Sequence, residues 1–478
     1  MILKHIKNAE AKDENKLALK ANTIYDCIRD RFFISSPREE DTIDGRDPTL
    51  LISLLTAIIN GKQLTAGNFG RGKTTSAEAI IALVHGIPCD ATMACEARGD
   101  PEITKEEYIA IPDLTNMNNL LWRRFAQMPP KIFDEFNRMP SAKQSLFLDG
   151  IDRGNFEYMN QTLRAEPGPF YATMNWPDRG NVEILPPMLD RFDVSVITSA
   201  INPMYHKVME EVDRSVLEDG VIAAKMLAIL DANGESYQKK IAELTELADA
   251  FRASISMQLG IGEGFTSKEL ATAREEIKNI EYADTGDNFK LFIRSETICP
   301  THGEYMPGKA CGGDCHWGSG NANEESRVGF AAITSPISER FFKSLSAYAK
   351  ALAWYLNEKE VSKDHVRLVL PYVLWHRVQF AGDFMAGENK YRVGKQLENA
   401  KDFTKKIFNR FTEQEERINE LGEALREPED KNRKEHLEKA RAFFAKIQKY
   451  ANEYDHPIFA HALQMLGKQG SANESTDK

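Results

Sequence analysis

The chain has 478 residues, 42% hydrophobic and 28% charged, the balance of an ordinary globular protein with room for two to four domains. A net charge of -11 and a pI near 5.6 argue against a broad nonspecific nucleic-acid surface, though not against a local basic groove. No apolar run reaches bilayer-spanning length, and the opening "MILKHIKNAEAKDENK" has neither an apolar h-region nor a small-residue cleavage site. A cytoplasmic location is the expectation.

The first 47 residues are polar and mostly helical in pattern, with a loop at "SSPREEDTIDGRDP". "TLLISLLTAIIN" reads as a buried helix. "KQLTAG" is a short strand running into a glycine loop, and "TTSAEAIIALVHG" is a helix that stops at Gly86. Further strands are expected at "ATMACEA" near Thr92, "KIFDEF", "PFYATMN" and "DVSVIT". Strands alternating with helices imply a parallel sheet covered on both faces.

From Met204 onward the pattern is helical, except for a Gly-, Cys- and Asn-rich stretch from about Thr297 to Asn323. Helix resumes at "ISERFFKSLSAYAKALAWYL". The last hundred residues read as a helical hairpin. One arm is lined by Phe403, Ile407, Phe411, Ile418, Leu421 and Leu425, and Pro428 and Asp430 mark the turn. The return arm is lined by Leu437, Ala440, Phe444, Ile447 and Ala451. The tail "GKQGSANESTDK" lacks the apolar residues needed for a core and is expected to be disordered.

"GNFGRGKTTS" fits a phosphate-binding loop, Gly67-x4-Gly72-Lys73-Thr74. Gly67, Gly70 and Gly72 let backbone N–H groups turn inward as an anion nest, with Arg71 and Thr75 flanking it. The following helix presents its positive end to phosphates. Lys73 can reach the β- and γ-phosphates, and Thr74 can place its hydroxyl on Mg²⁺. "KIFDEFNR" ends a strand in two acids. Asp134 would hold the Mg²⁺ hydration shell, and Glu135 would activate the attacking water. Two solvated acids at a strand end are common, so this pair gains meaning only beside the glycine loop.

At this point the sequence resembles a family. "IFDEFNRMPSAKQSLFLDGID" and "PFYATMNWPDRGNVEILPPMLDRFDVSV" resemble the AAA+ ATPases of the MoxR type, over roughly residues 45 to 200 and again 335 to 378. The resemblance implies a P-loop αβα sandwich with a parallel sheet and an all-α lid. It implies that Asn175 is sensor 1, that Arg191 in "LDRF" is an arginine finger reaching a neighbouring subunit's nucleotide, and that Arg340 is the sensor 2 arginine. Taken alone, Arg191 also suits a domain-interface salt bridge and Arg340 an exposed helix position. The chain departs from the family's pattern at Phe69, where many relatives have proline, and at Ser338-Glu339-Arg340, where the pattern is Ser-Pro-Arg. "GNFEYMNQTLRAEPGPF" reads as a β-hairpin turning near Asn160, with Phe156, Tyr158 and Arg164 as pore-side candidates or as packing residues.

"CPTHG" and "CGGDC" form a second chemical signal. Cys299, His302, Cys311 and Cys315 make a tetrahedral Cys3His set for structural zinc, with His316 as a substitute ligand. The organisation expected is an N-terminal helical segment (1–45), the ATPase core (46–200), a lid in two pieces (201–254 and 334–380), an insert with the zinc element (255–333), the C-terminal helical hairpin (381–466) and the tail (467–478). The function expected is a MoxR-like ATPase using ATP and Mg²⁺. It would form a homo-oligomeric ring, hexameric by the resemblance, and remodel a client protein, which the resemblance implies to be a von Willebrand A-domain protein. A nucleic-acid motor related to the MCM helicases is the alternative, and a nucleotide-gated binding module with little turnover is a third reading.

Overall fold

The computed structural model describes residues 15–35, 37, 39–68, 70–102, 104–114, 119–175, 183–198, 201–299, 333, 335, 337–380, 393–425, 433–450 and 453–464. They divide into two compact units. The first comprises Met1–Ile280 with Lys350–Lys359, and the second Glu281–Ala349 with Glu360–Lys478.

The first unit is built on a parallel sheet. Helix α1 (Lys16–Arg31) is capped by the Asn15 side chain, which accepts from Leu17 and Ala18 N–H. Helix α2 (Pro48–Ile59) has Asp47 as N-cap and proline in its first turn, and Leu50 to Ile58 are all buried. A helix apolar on every side belongs in an interior. Strand β1 (Lys62–Gly67) follows, then α3 (Lys73–Ile80), prolonged by a π-helical turn at Ile81–His85 that ends on Gly86. Next come α4 (Cys89–Ala94), β2 (Ala97–Arg98), an antiparallel pair β3 (Ala110–Pro112) and β4 (Leu120–Trp122), and β5 (Lys131–Asp134). The hairpin strands β6 (Asn155–Tyr158) and β7 (Gln161–Arg164) precede β8 (Phe170–Asn175) and β9 (Val194–Ile197).

The sheet order is β2-β5-β8-β1-β9, with every pairing parallel. Register places Lys62 beside Phe170 and Gly67 beside Asn175, so β1 and β8 end level. Ligands of open parallel sheets bind beyond such carboxyl ends. Against one side of the sheet sits an aromatic cluster of Tyr108, Phe125, Phe133, Phe136, Phe147, Phe156, Phe170 and Phe192, all buried and mostly edge-to-face.

One sequence expectation fails here, and one pair of alternatives is decided. "ATMACEA" is not a strand: Cys89–Ala94 is helical and only Ala97–Arg98 joins the sheet. Pro88, in an extended conformation, fixes the entry to a short alanine-containing helix, and these local preferences outweigh the apolar appearance of the run. The hairpin forms as expected, with Met159 (φ 45) and Asn160 (φ 61) at its turn. Of the two readings of Phe156, packing is the one the structure has. It is 1% exposed, and the buried Lys131 ammonium lies 5.4 Å from its ring centroid. Tyr158 is half-buried and donates to Glu106 Oε1 at 2.8 Å, while Arg164 is exposed.

The second part of the first unit is helical, with Gly220–Asp231, Tyr237–Leu259 and Ser267–Asn279. The 23-residue helix Tyr237–Leu259 runs unbroken past position 255, where the sequence reading begins an insert. Thr266 and Glu269 form a capping box at the start of the last helix.

The second unit is a helical bundle of Asp284–Glu296, Lys363–Leu374, Val393–Glu413, Glu415–Leu425 and Arg433–Lys449, with the opening turns of Glu339–Tyr355. The arm expected as one helix breaks at Gln414. Its apolar face survives the break, since Phe403, Ile407, Phe411, Ile418 and Leu421 are all buried. Phe411 packs its ring against Phe289 and Phe292, so this arm is built into the bundle core. Of the return arm, Phe444 and Ile447 are buried, while Leu437 and Ala451 lie outside the described side chains, as does the tail from residue 465.

Candidate functional site

The site forms where β1, β5 and β8 end together. β1 delivers Gly67, and the loop turns through Gly70 (φ 69) and Gly72 (φ 66) before α3 begins at Lys73. Side chains avoid this left-handed region, which explains glycine at both positions. Arg71 and Thr75 are half-buried beside the loop, and Phe69 lies outside the described residues.

Lys73 is 8% exposed. Its ammonium donates to Gly67 O at 3.1 Å, Asn68 O at 2.8 Å and Asn175 Oδ1 at 2.9 Å. Burial depresses its pKa below the ordinary lysine value, against the opposing pull of the Asp134 and Glu135 charges. Thr74, the next residue, donates to Asp134 Oδ1 at 2.8 Å. A hydroxyl and a carboxylate so placed are hard oxygen donors of the kind Mg²⁺ takes, usually with several of its waters retained. The residues therefore fit the expected metal.

Glu135 occupies the left-handed region at φ 50, ψ 45, which is uncommon for a non-glycine residue. Its N–H donates to Thr173 Oγ1 at 3.0 Å, and that hydroxyl donates to Asp134 Oδ1 at 2.6 Å. The turn also needs a bare neighbour: a Cβ on Gly99 would stand 2.1 Å from Glu135 O. Asn175 Nδ2 donates to Glu135 Oε1 at 2.8 Å, so Asn175 links the Lys73 ammonium to the Glu135 carboxylate. Asn137 clamps the Asn175 backbone, donating to its carbonyl at 3.0 Å and accepting from its N–H at 3.3 Å. Arg138 pairs with the second Glu135 oxygen at 3.2 Å.

The structure thus brings together Gly67, Gly72, Lys73, Thr74, Asp134, Glu135 and Asn175. Arg191 follows the short helix Pro186–Leu189 and makes contacts within the chain. Its side chain is 19% exposed, donates to Pro187 O at 2.7 Å, and lies 3.9 Å from Asp152. Arg340 is exposed in the first turn of Glu339–Tyr355, in the second unit. Cys299 is buried, while His302, Cys311, Cys315 and His316 lie outside the described residues. Among the described residues no group of three or more His, Cys, Asp or Glu side chains forms a metal cluster.

Sequence reasoning assigned no role to Thr173, Asn137 or Glu96. The first two stand inside the quoted motifs, but their partners are distant in sequence, so composition gives no hint of them. Glu96 is pushed up to about 7 by burial and then by the Asp134 and Glu78 charges, a coupling that only the folded chain creates.

Residues 343–397 match the family model of the AAA lid domain. No curated protein matches the chain in sequence. Among solved structures, the chain is similar to a putative ATPase from Cytophaga hutchinsonii ATCC 33406, at 15% identity and a TM-score of 0.50, over 80% of this chain and 96% of that one. A full-length MCM homolog from Methanopyrus kandleri aligns at 11% identity and a TM-score of 0.40, over 81% of this chain and 59% of that one. The fold is of the AAA+ class: a mixed α/β architecture with a parallel sheet and an AAA lid segment. No helix among the described residues is long and apolar enough to cross a membrane.

Proposed function

We propose that this chain is an ATP-hydrolysing, MoxR-like AAA+ ring ATPase that remodels or matures a partner protein. One observation carries the reading. The hydrogen-bond chain Lys73–Asn175–Glu135 and the Thr74–Asp134 contact join three ordered motifs at the carboxyl ends of three neighbouring strands.

In this reading the loop N–H groups and Lys73 grip the triphosphate of ATP. Phosphate oxygens compete for the ammonium now held by Gly67, Asn68 and Asn175. Thr74 and Asp134 would hold Mg²⁺, which when bound offsets charge on the β- and γ-phosphates. Glu135 takes the proton of the attacking water, and Asn175 keeps that carboxylate aimed. Arg191 acts on a neighbouring subunit's nucleotide, which makes turnover depend on assembly, with a hexamer as the expected ring. Arg340 acts as sensor 2. The client is a protein, with a von Willebrand A-type domain as the partner suggested by the resemblance.

Glu135→Gln is the test. Turnover should fall by about 10²- to 10⁴-fold, the range for a positioned general base, while ATP affinity is kept. A variant that hydrolyses ATP normally would remove the base and the reading built on it.

Structural zinc on Cys299, His302, Cys311 and Cys315 belongs to the same proposal. Four protein ligands leave no open position, so the ion would fold its segment and not hydrolyse anything. Metal analysis of purified protein should give one zinc per chain and lose it in Cys299→Ser and Cys311→Ser. Equal metal content in all three proteins contradicts the assignment.

A further inference from the structure

At the other end of α3 from the glycine loop lies a second cavity, of about 190 Å³, within the first unit. That is room for a group of several heavy atoms, since a single water needs only about 10–15 Å³ on this measure. We infer that this cavity, bounded by His85, Met128, Pro130, Leu244, Arg252 and Arg274, binds a small oxyanion such as phosphate or a short dicarboxylate.

Two guanidinium groups stand in a wall of mixed polar and apolar residues. Arg252 is 2% exposed. Its Nη1 donates to Val84 O at 2.8 Å and its Nη2 to Ser267 Oγ at 2.7 Å and to Asp249. Its Nε is buried and has no hydrogen-bond partner. Arg274 donates from Nε to Ile58 O at 2.8 Å and from Nη2 to Asn60 Oδ1 at 2.9 Å, and no carboxylate pairs with it among the described residues. Both arginines therefore cap carbonyls at helix C-termini, a structural task that suits a cation. That task leaves donors over: Nε of Arg252 and Nη1 of Arg274.

The charge balance points the same way. Asp249 is the one acid in contact with Arg252, and it also accepts from Ser267 N–H and Oγ. Glu166, the acid in the cavity lining, is exposed and therefore solvent-screened. His85 supplies no countercharge. Burial, then the Arg274 charge, hold its pKa down at about 3, and Nε2 lies 3.0 Å from Ala57 O. Burial also lowers both arginines to about 10; on Arg252 the Glu269 charge opposes this and the Arg274 charge adds to it. An oxyanion accepting from the spare N–H groups would offset that desolvation with charge-assisted bonds. Arginine's planar fork suits phosphate and carboxylate alike.

The test uses the full chain carrying Lys73→Ala, which silences the phosphate loop proposed above. Thermal unfolding and calorimetry are followed against inorganic phosphate and, separately, malonate, with ionic strength held constant by sodium chloride. A saturable stabilisation by either anion is expected. Response to phosphate alone assigns a tetrahedral oxyanion, and response to both assigns shared dianion chemistry. Adding Arg274→Gln should weaken binding by about tenfold or more, the loss of one charge-assisted bond. Adding Glu166→Gln should strengthen it by about two- to threefold, through removal of a like charge. The second variant moves affinity the opposite way at an exposed position, so poor folding of the first leaves the test decisive. No saturable response above the chloride control, or one affinity across all variants, overturns the inference.

Discussion

Arg191→Ala should lower steady-state ATP turnover by about 10³- to 10⁵-fold while leaving ATP binding in place, the range for a transition-state arginine. That corresponds to about 4–7 kcal/mol of barrier. The structure supplies a reason why such an arginine is available. Asp152 is shared, with Lys62 Nζ at 3.6 Å and Arg191 Nε at 3.9 Å, so Arg191 holds only part of one carboxylate at a distance beyond hydrogen bonding. Its Nε is buried without a hydrogen-bond partner, which leaves the resting position incompletely satisfied. In the proposed ring, a phosphate on a neighbouring subunit would offer a stronger, charge-assisted partner. Mixing Arg191→Ala with Lys73→Ala protein should restore part of the turnover, because each contributes the half-site that the other lacks. Unchanged turnover in Arg191→Ala, or no recovery on mixing, would leave the residue as an internal ion pair and remove the trans mechanism.

The elements that set the site were legible because their constraints are local. "KQLTAG", "KIFD" and "FYATMN" are short runs that lead directly into the glycine loop, the acidic pair and Asn175, and all three join the sheet. Gly72-Lys73-Thr74 requires a turn followed by a helix, and the structure has both. What escaped depends on contacts distant in sequence. Thr173 meets Asp134 across two adjacent strands, and Asn137 reaches the backbone of Asn175, neither of which leaves a periodic trace. Phe156 illustrates the converse. An aromatic on a hairpin suits a pore or a core equally well in sequence, and the decision rests on Phe125, Lys131 and Gly150 closing around it. The break at Gln414 was missed for a similar reason. The apolar face continues through it at helical spacing, so periodicity reports one arm where there are two helices.

Glu296→Ala should destabilise the helical second unit by about 3–5 kcal/mol at neutral pH, the cost of breaking a buried ion pair from one side. Glu296 is fully buried at the end of Asp284–Glu296. Arg410 grips it with both arms, Nε to Oε1 at 3.0 Å and Nη2 to Oε2 at 2.9 Å. His456 adds a third contact, Nε2 to Oε1 at 2.8 Å, with its ring stacked on Phe292 at 4.3 Å. The imidazole tautomer follows from its other side: Nδ1 accepts from Ile458 N–H, so Nε2 bears the proton and donates to the carboxylate. Three stretches distant in sequence are thereby tied at one carboxyl group. Burial alone would raise the pKa of Glu296, but the Arg410 charge and the His456 hydrogen bond outweigh it and hold the group at about 2. The folded pKa is depressed, so the stabilisation is complete above the unfolded glutamate value and is lost as pH falls toward 2. A shift from 4.5 to about 2 corresponds to roughly 3 kcal/mol, in line with the mutational expectation. Hydrogen exchange across Asp284–Glu296 and Val393–Glu413, measured in the full chain, should show wild type well protected and Glu296→Ala weakly protected at pH 7. The wild-type advantage over Glu296→Gln should shrink steadily below about pH 4.5. Equal protection at pH 7, or an advantage independent of pH down to 2, would mean that packing and not this carboxylate holds the bundle together.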